Sequence, residues 1–217
     1  MISMLVALVG VGCILLVSEA VWYALRLKRS ETTRKLVHIA TGVYVAFWPL
    51  FLSFAQIQLL SLVLCAVVFA SKKFHVFRSI HSVRRKTYGE VLFPLGIFVA
   101  ATFASSGWIY MAAVLHLSVA DGLAGLIGTR YLKRSKYVIA GNTKTIVGTT
   151  VFFAVSLGIL ASIMLADPAA YGNHVMLVLA VLPMVTTLLE NISPNGTDNL
   201  SVPMVVVLIL NMMRGVA

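Results

Sequence analysis

The chain has 217 residues, 60% of them hydrophobic and 11% charged, with a mean hydropathy of +0.98. A soluble domain carries about 25% charged residues, so this composition excludes one and describes an integral membrane protein. The formal net charge is +10, but the bases sit in short loops between apolar runs, which fits topology and anionic headgroups and argues against a nucleic-acid partner.

In chain order, apolar runs fall at about 3–25, 36–52, 54–71, 91–105, 108–129, 146–166, 174–190 and 200–213. About 20 residues cross a hydrocarbon core. The expected fold is therefore all-α: a polytopic membrane protein of about eight transmembrane helices, or seven, forming a single membrane-embedded domain over 1–217. The runs at 91–105 and 200–213 are short and would be tilted, half-inserted or buried by neighbours. No basic segment precedes the first run, so it reads as a retained helix rather than a signal peptide.

The 17 Lys and Arg set the topology. One group is Arg26, Lys28, Arg29, Arg34 and Lys35; a second is Lys72, Lys73, Arg78, Arg84, Arg85 and Lys86; a third is Arg130, Lys133, Arg134, Lys136 and Lys144. Only Arg214 stands apart. With eight spans the three groups share one face, which the positive-inside rule makes cytoplasmic, and both termini lie outside. The expected membrane is the plasma membrane, or the endoplasmic reticulum in a eukaryote.

Of the seven acids, Glu31 and Asp167 read as solvated loop charges and Glu19 as a snorkelling or paired carboxylate. Glu90, Asp121, Glu190 and Asp198 differ, because each falls near the cytoplasmic boundary beside the bases. Carboxylates hold Mg²⁺ and Lys or Arg hold phosphate oxygens, so this set suits a phosphate–metal site. Asp121 shares a helix face with Gly125 and Gly128, small residues that let a ligand or a neighbouring helix approach closely. The other reading of that face is a packing seam with a hydrogen-bonded Asp. Lys144 precedes a helix with Gly148 one turn on, a place where the helix dipole favours an anion. His38 lies between Arg34 and Gly42 on one helix face, structural or ligand-facing. Cys13 and Cys65 read as small hydrophobes, and the sequons at Asn191, Asn195 and Asn199 as chance matches. Neither a Walker A loop nor a G-x-S-x-G elbow occurs.

The ordered blocks TRKLVHIATG, TYGEVLFPLG, ADGLAGLIGTRY, NTKTIVGTT and LLENISPNGTDNLSVP, spanning about 33–203, resemble the CTP-dependent lipid kinases: dolichol kinase, phytol kinase and the fungal CTP-dependent diacylglycerol kinase. In dolichol kinases the nucleotide region reads D-x-x-A-x-x-x-G and later K-K-T-x-E-G. Asp121, Ala124 and Gly128 match the first, and Lys144, Thr145 and Gly148 part of the second; Thr143 and Val147 depart from it, as phytol-kinase-like members also do. The resemblance implies phosphorylation of an isoprenoid alcohol (dolichol or polyprenol, phytol or geranylgeraniol type) by CTP at the cytoplasmic face. Phosphatidate cytidylyltransferase-like synthesis of a CDP-lipid is the alternative.

On this reading Asp121, Glu190 and Asp198 would hold Mg²⁺. Asp121, Gly125, Gly128, Lys144, Thr145, Gly148, Arg34 and Lys35 would bind the nucleotide. Asp121, Glu90, Lys144, Asp198 and His38 would serve the chemistry, with Glu90, Asp198 or His38 accepting the hydroxyl proton. The partners expected are CTP, a lipid alcohol and the bilayer. The sequence carries no signal for oligomeric state.

Overall fold

The computed structural model describes residues 2–24, 31–74 and 88–214. The bases at 26–29 and 78–86 lie outside the described residues, as do the side chains of Glu31 and Lys72. Helices occupy all eight expected places: α1 (Ile2–Ala24), α2 (Glu31–Ala46), α3 (Phe54–Lys73), α4 (Gly89–Phe103), a composite of α5 (Gly107–Leu115) and α6 (Asp121–Arg130), α8 (Ile146–Ala166), α9 (Val175–Ile192) and α10 (Asp198–Met213). The short α7 (Leu132–Ser135) follows α6.

Five of these are long and apolar enough to cross a membrane: α1, α3, the α5–α6 composite, α8 and the helix ending at Ile192. Eight spans were expected. The helices α4 and α10 are apolar but shorter, and α2 begins with ETTRK, too polar for a hydrocarbon core. Elements of these kinds persist at membrane depth when neighbours bury them. Accordingly α4 packs between α3 and α10, and α2 packs on α6 and α5.

The composite helix is central, with 67% of its apolar window buried against 11% for the peripheral α1. Its halves join through a π turn at His116–Ala120, where the Asp121 amide reaches back to the His116 carbonyl. The wide turn is fixed by a buried polar chain. His116 Nδ1 lies 2.7 Å from the Ala112 carbonyl, and Nε2 lies 2.8 Å from Ser156 Oγ, itself 3.2 Å from Thr186 Oγ1. A carbonyl only accepts, so Nδ1 carries the proton and Nε2 accepts from Ser156.

The fold departs from all-α in one place. Strands β1 (Lys136–Ile139) and β2 (Asn142–Thr145) form an antiparallel hairpin. Its two-residue turn, Ala140–Gly141, has φ values of 47° and 77°. Positive φ at both central positions gives the turn that matches the twist of paired strands. The chain there reads KYVIAGNTKT, which lacks the usual Asn-Gly or Asp-Gly signal.

At the end of the bundle away from the hairpin, Asp167 is not a lone solvated charge. It pairs with Arg214 at 3.3 Å, tying the end of α8 to the end of α10.

Candidate phosphate and cation site

At the hairpin end of the bundle, the starts of α2, α8 and α10 meet the ends of α6 and α9 around a polar cavity of about 540 Å³. That volume lies within the about 300–1,000 Å³ usual for small-molecule sites. Ten of the twelve side chains or glycines singled out in the sequence line it: Arg34, Lys35, Asp121, Gly125, Gly128, Lys144, Thr145, Gly148, Glu190 and Asp198. His38 and Glu90 are not among the lining residues.

Two lysine–carboxylate pairs face each other across this space. Lys35 Nζ on α2 lies 2.5 Å from Asp121 Oδ2 on α6. Lys144 Nζ on β2 pairs with Glu190 Oε1 on α9, and also donates to the Glu190 carbonyl at 2.7 Å. Asp198 holds no such base; its Oδ1 accepts the Asn199 amide at 3.1 Å. One carboxylate oxygen from each of Asp121, Glu190 and Asp198 falls within 4.8 Å of the others. Three like charges so close repel unless cations lie among them.

The donor set has a fourth member absent from the sequence reading. Asn199 is buried, and its Nδ2 donates to the Gly196 carbonyl and towards Asp198 Oδ1. That orientation leaves Oδ1 buried with no hydrogen-bond partner. A buried amide oxygen without a donor is costly. Hard carboxylate and amide oxygens are also what Mg²⁺ takes, so these residues fit the ion that the resemblance implies.

His38 lies behind Asp121 rather than in the cavity. Its Nε2 is 2.8 Å from the Leu117 carbonyl and 3.4 Å from Asp121 Oδ2, and the Phe93 ring packs on it at 4.3 Å. Both neighbours are acceptors, so Nε2 must carry a proton. It therefore orients Asp121 and does not accept a proton through that atom. Glu90 begins α4 at the same end of the bundle.

The glycines act as spacers. A Cβ at Gly125 would stand 2.8 Å from Lys35 Cε, and one at Gly128 would stand 2.7 Å from Thr145 Oγ1 and 3.1 Å from Gly148 Cα. They let Lys35 reach Asp121 and let α6 touch α8. Gly42 likewise admits Ser118 of the π turn. Thr145 caps α8, its Oγ1 accepting the Gly148 amide at 3.0 Å. The positive end of a 21-residue helix thereby opens on the cavity beside Lys144.

The hairpin is held by residues that sequence reading passed over. Tyr137 lies opposite Lys144 in the strand register, and its hydroxyl donates to Asn191 Oδ1 at 2.6 Å. Thr149 donates to the same oxygen at 3.0 Å, and Asn142 Nδ2 donates to the carbonyls of Asn191 and Ser193. Asn191 had read as a chance sequon; it is buried and joins hairpin, α8 and α9. The loop after α9 turns through Asn195 (φ 53°) and Gly196 (φ 90°), and the Asn195 carbonyl accepts the Tyr88 amide at 3.0 Å. The available signal was density of polar residues: ENISPNGTDN is far too polar for its apolar surroundings.

Fold and cavity together define a polytopic helical membrane protein with a charged, oxygen-rich site at one end. Comparison with known sequences adds a relative. The chain is 29% identical over 198 residues, 89% of its length and 83% of the relative's, to a protein named phytol kinase from Synechocystis sp.. No family model and no solved structure matches. The likeness is distant, and supports kinship with the lipid kinases at a general level.

Proposed function

We propose that this protein is a CTP-dependent lipid kinase that transfers the γ-phosphoryl group to the hydroxyl of an isoprenoid alcohol. The observation carrying this reading is the convergence of three carboxylates within 4.8 Å with Arg34, Lys35 and Lys144 in one cavity at the end of apolar helices. The relative named phytol kinase supports the substrate class. The whole chain would act as one domain, with the site at the cytoplasmic face and both termini outside. The positive-inside pattern supports that topology.

In this mechanism Asp121, Glu190 and Asp198, with Asn199 Oδ1 beside them, would hold Mg²⁺, which when bound shields the phosphate charge. As the nucleotide enters, each lysine exchanges a carboxylate for phosphate oxygens: Lys35 leaves Asp121 and Lys144 leaves Glu190. The capped start of α8 and Arg34 add positive potential. The lipid hydroxyl oxygen then bonds the γ-phosphorus, the bond from that phosphorus to the β–γ bridging oxygen breaks, and CDP departs. Asp198 takes the hydroxyl proton. It lines the cavity and no ion pair among the described residues engages it. Positioning and charge stabilisation carry such transfers, with little covalent chemistry for the protein to do.

The test is a donor assay on purified protein with Mg²⁺, mixed prenols and diacylglycerol, and CTP or ATP labelled at the γ-phosphate. Label in a prenol from CTP is the expected result. Label from ATP alone would reject the donor. Pyrophosphate and a CDP-lipid formed from phosphatidate would replace the kinase with cytidylyl transfer.

A further inference from the structure

Between Asp121 and Asp167 the chain contains no acid. Within that stretch the end of α6, the α7 turn and β1 expose Arg130, Lys133, Arg134 and Lys136, and no ion pair among the described residues involves any of them. Large apolar side chains are exposed among these bases. Tyr131 and Leu132 are each 43% exposed, Ile146 is 62% and Val138 is 71%.

The place of this surface follows from the chain. Residues 131–145 join two helices long and apolar enough to span, Gly107–Arg130 and Ile146–Ala166. A short hairpin between such helix ends stays at the water–lipid boundary, because strands of four residues reach only about 13 Å. Exposed bases mixed with exposed aliphatic and aromatic side chains are the pattern of a segment lying in that boundary. Solvent alone would leave Val138 and Ile146 as uncompensated apolar area.

Along β1 the exposure alternates. Lys136 and Val138 face out, whereas Tyr137 and Ile139 are partly buried. Tyr137 stands opposite Lys144 and holds the hairpin to Asn191. What happens on the outer face of β1 therefore bears on where the Lys144 side chain is held.

We propose that the α7 turn and the outer face of the hairpin dock on the headgroups of anionic phospholipids, and that this contact steadies Lys144 in the cavity. The bases meet the lipid phosphates, while Leu132, Val138 and Ile146 enter the acyl boundary. The second half of the proposal rests on the kinase reading; the first half stands without it.

The experiment uses the full chain in nanodiscs of phosphatidylcholine with a rising fraction of phosphatidylglycerol. Cys13 and Cys65 are replaced by Ala, and Val138→Cys carries an environment-sensitive fluorophore. The expected result is a shift to shorter wavelength as the anionic fraction rises. Each base near such a surface contributes about fivefold in affinity. Lys133→Gln, Arg134→Gln and Lys136→Gln together should weaken the response on the order of a hundredfold. The Lys133→Arg, Lys136→Arg variant should keep it, which separates charge from misfolding. An unchanged spectrum in the parent, or an undiminished shift in the triple Gln variant, overturns the docking. A shift with a soluble oligonucleotide but not with phosphatidylglycerol overturns it in favour of nucleic acid. Nucleotide KM, read in the same discs without the label, should fall as the anionic fraction rises. A docking response with flat KM would overturn the second half alone, and absence of any transfer would count against the kinase reading and leave the docking intact.

Discussion

The two lysine–carboxylate pairs of the cavity are chemically alike and structurally different. Lys35 and Asp121 both sit on helices, their side chains 8% and 12% exposed, and His38 and Leu117 stand behind the carboxylate. Lys144 sits on a hairpin strand, its side chain 20% exposed, and reaches the end of α9. The first pair belongs to the scaffold as much as to the site, since removing either partner strands a charge in the bundle. The second can yield, because its lysine is mounted on a small unit held by a few hydrogen bonds. A site that must admit a nucleotide and release it gains from one fixed wall and one adjustable wall.

Four substitutions break or sharpen that comparison. Asp121→Asn should lower phosphoryl transfer on the order of a thousandfold with the protein still folded, because the amide keeps its shape and an oxygen acceptor for Lys35. Transfer of labelled phosphate and a detergent melting curve check both parts. Retained turnover would remove Asp121 from the chemistry. Next, Lys35→Met leaves Asp121 buried without its base and should cost about 3 kcal/mol of stability. Lys144→Met, on the adjustable wall, should cost about 1 kcal/mol. Equal losses on thermal unfolding would erase the distinction between the two walls.

Tyr137→Phe loses the hydroxyl shared with Thr149 and Asn191, at about 1–2 kcal/mol. It should raise nucleotide KM while kcat changes little, because it loosens the mount of Lys144 and not the chemistry. A fall in kcat at constant KM would contradict that role. The smallest effect expected is a gain. Ala140→Asn places a residue tolerant of positive φ beside Gly141 and should stabilise the hairpin by about 0.5 kcal/mol. A melting temperature that falls would show that the turn is not limited by backbone conformation.

Much of this was legible in the sequence, for identifiable reasons. Hydrophobic runs located the helices because about 20 apolar residues have few other uses. Carboxylates beside bases at one boundary located the cavity, because ionisable groups in apolar helices are confined to protein-lined or wet places. The number of spans was less legible. Run length does not report burial, and α2, α4 and α10 lean on neighbours that lie far away in the chain. The hairpin was hidden because KYVI and NTKT are too short for a clear alternation and Ala-Gly is an atypical turn. The roles of Tyr137, Asn191 and Asn199 depend on contacts spanning the cavity wall, which no local pattern encodes. The glycines at 125, 128 and 148 were noted as room for a ligand or a helix; in the fold they make room for Lys35, Thr145 and each other.

The wide turn ahead of Asp121 has one more consequence, for the kinds of change this gene can absorb. A turn of this type takes one residue more than a regular one, so removing any residue between 116 and 120 would let the helix close up seamlessly. The hydrophobic content would hardly alter and the protein would still insert. Everything beyond the deletion, however, would rotate by about 100°, carrying the aspartate off the cavity and its glycines off their neighbours. Substitutions along this stretch are buffered by the surrounding bundle, whereas a single-codon loss would leave a well-folded membrane protein that does nothing.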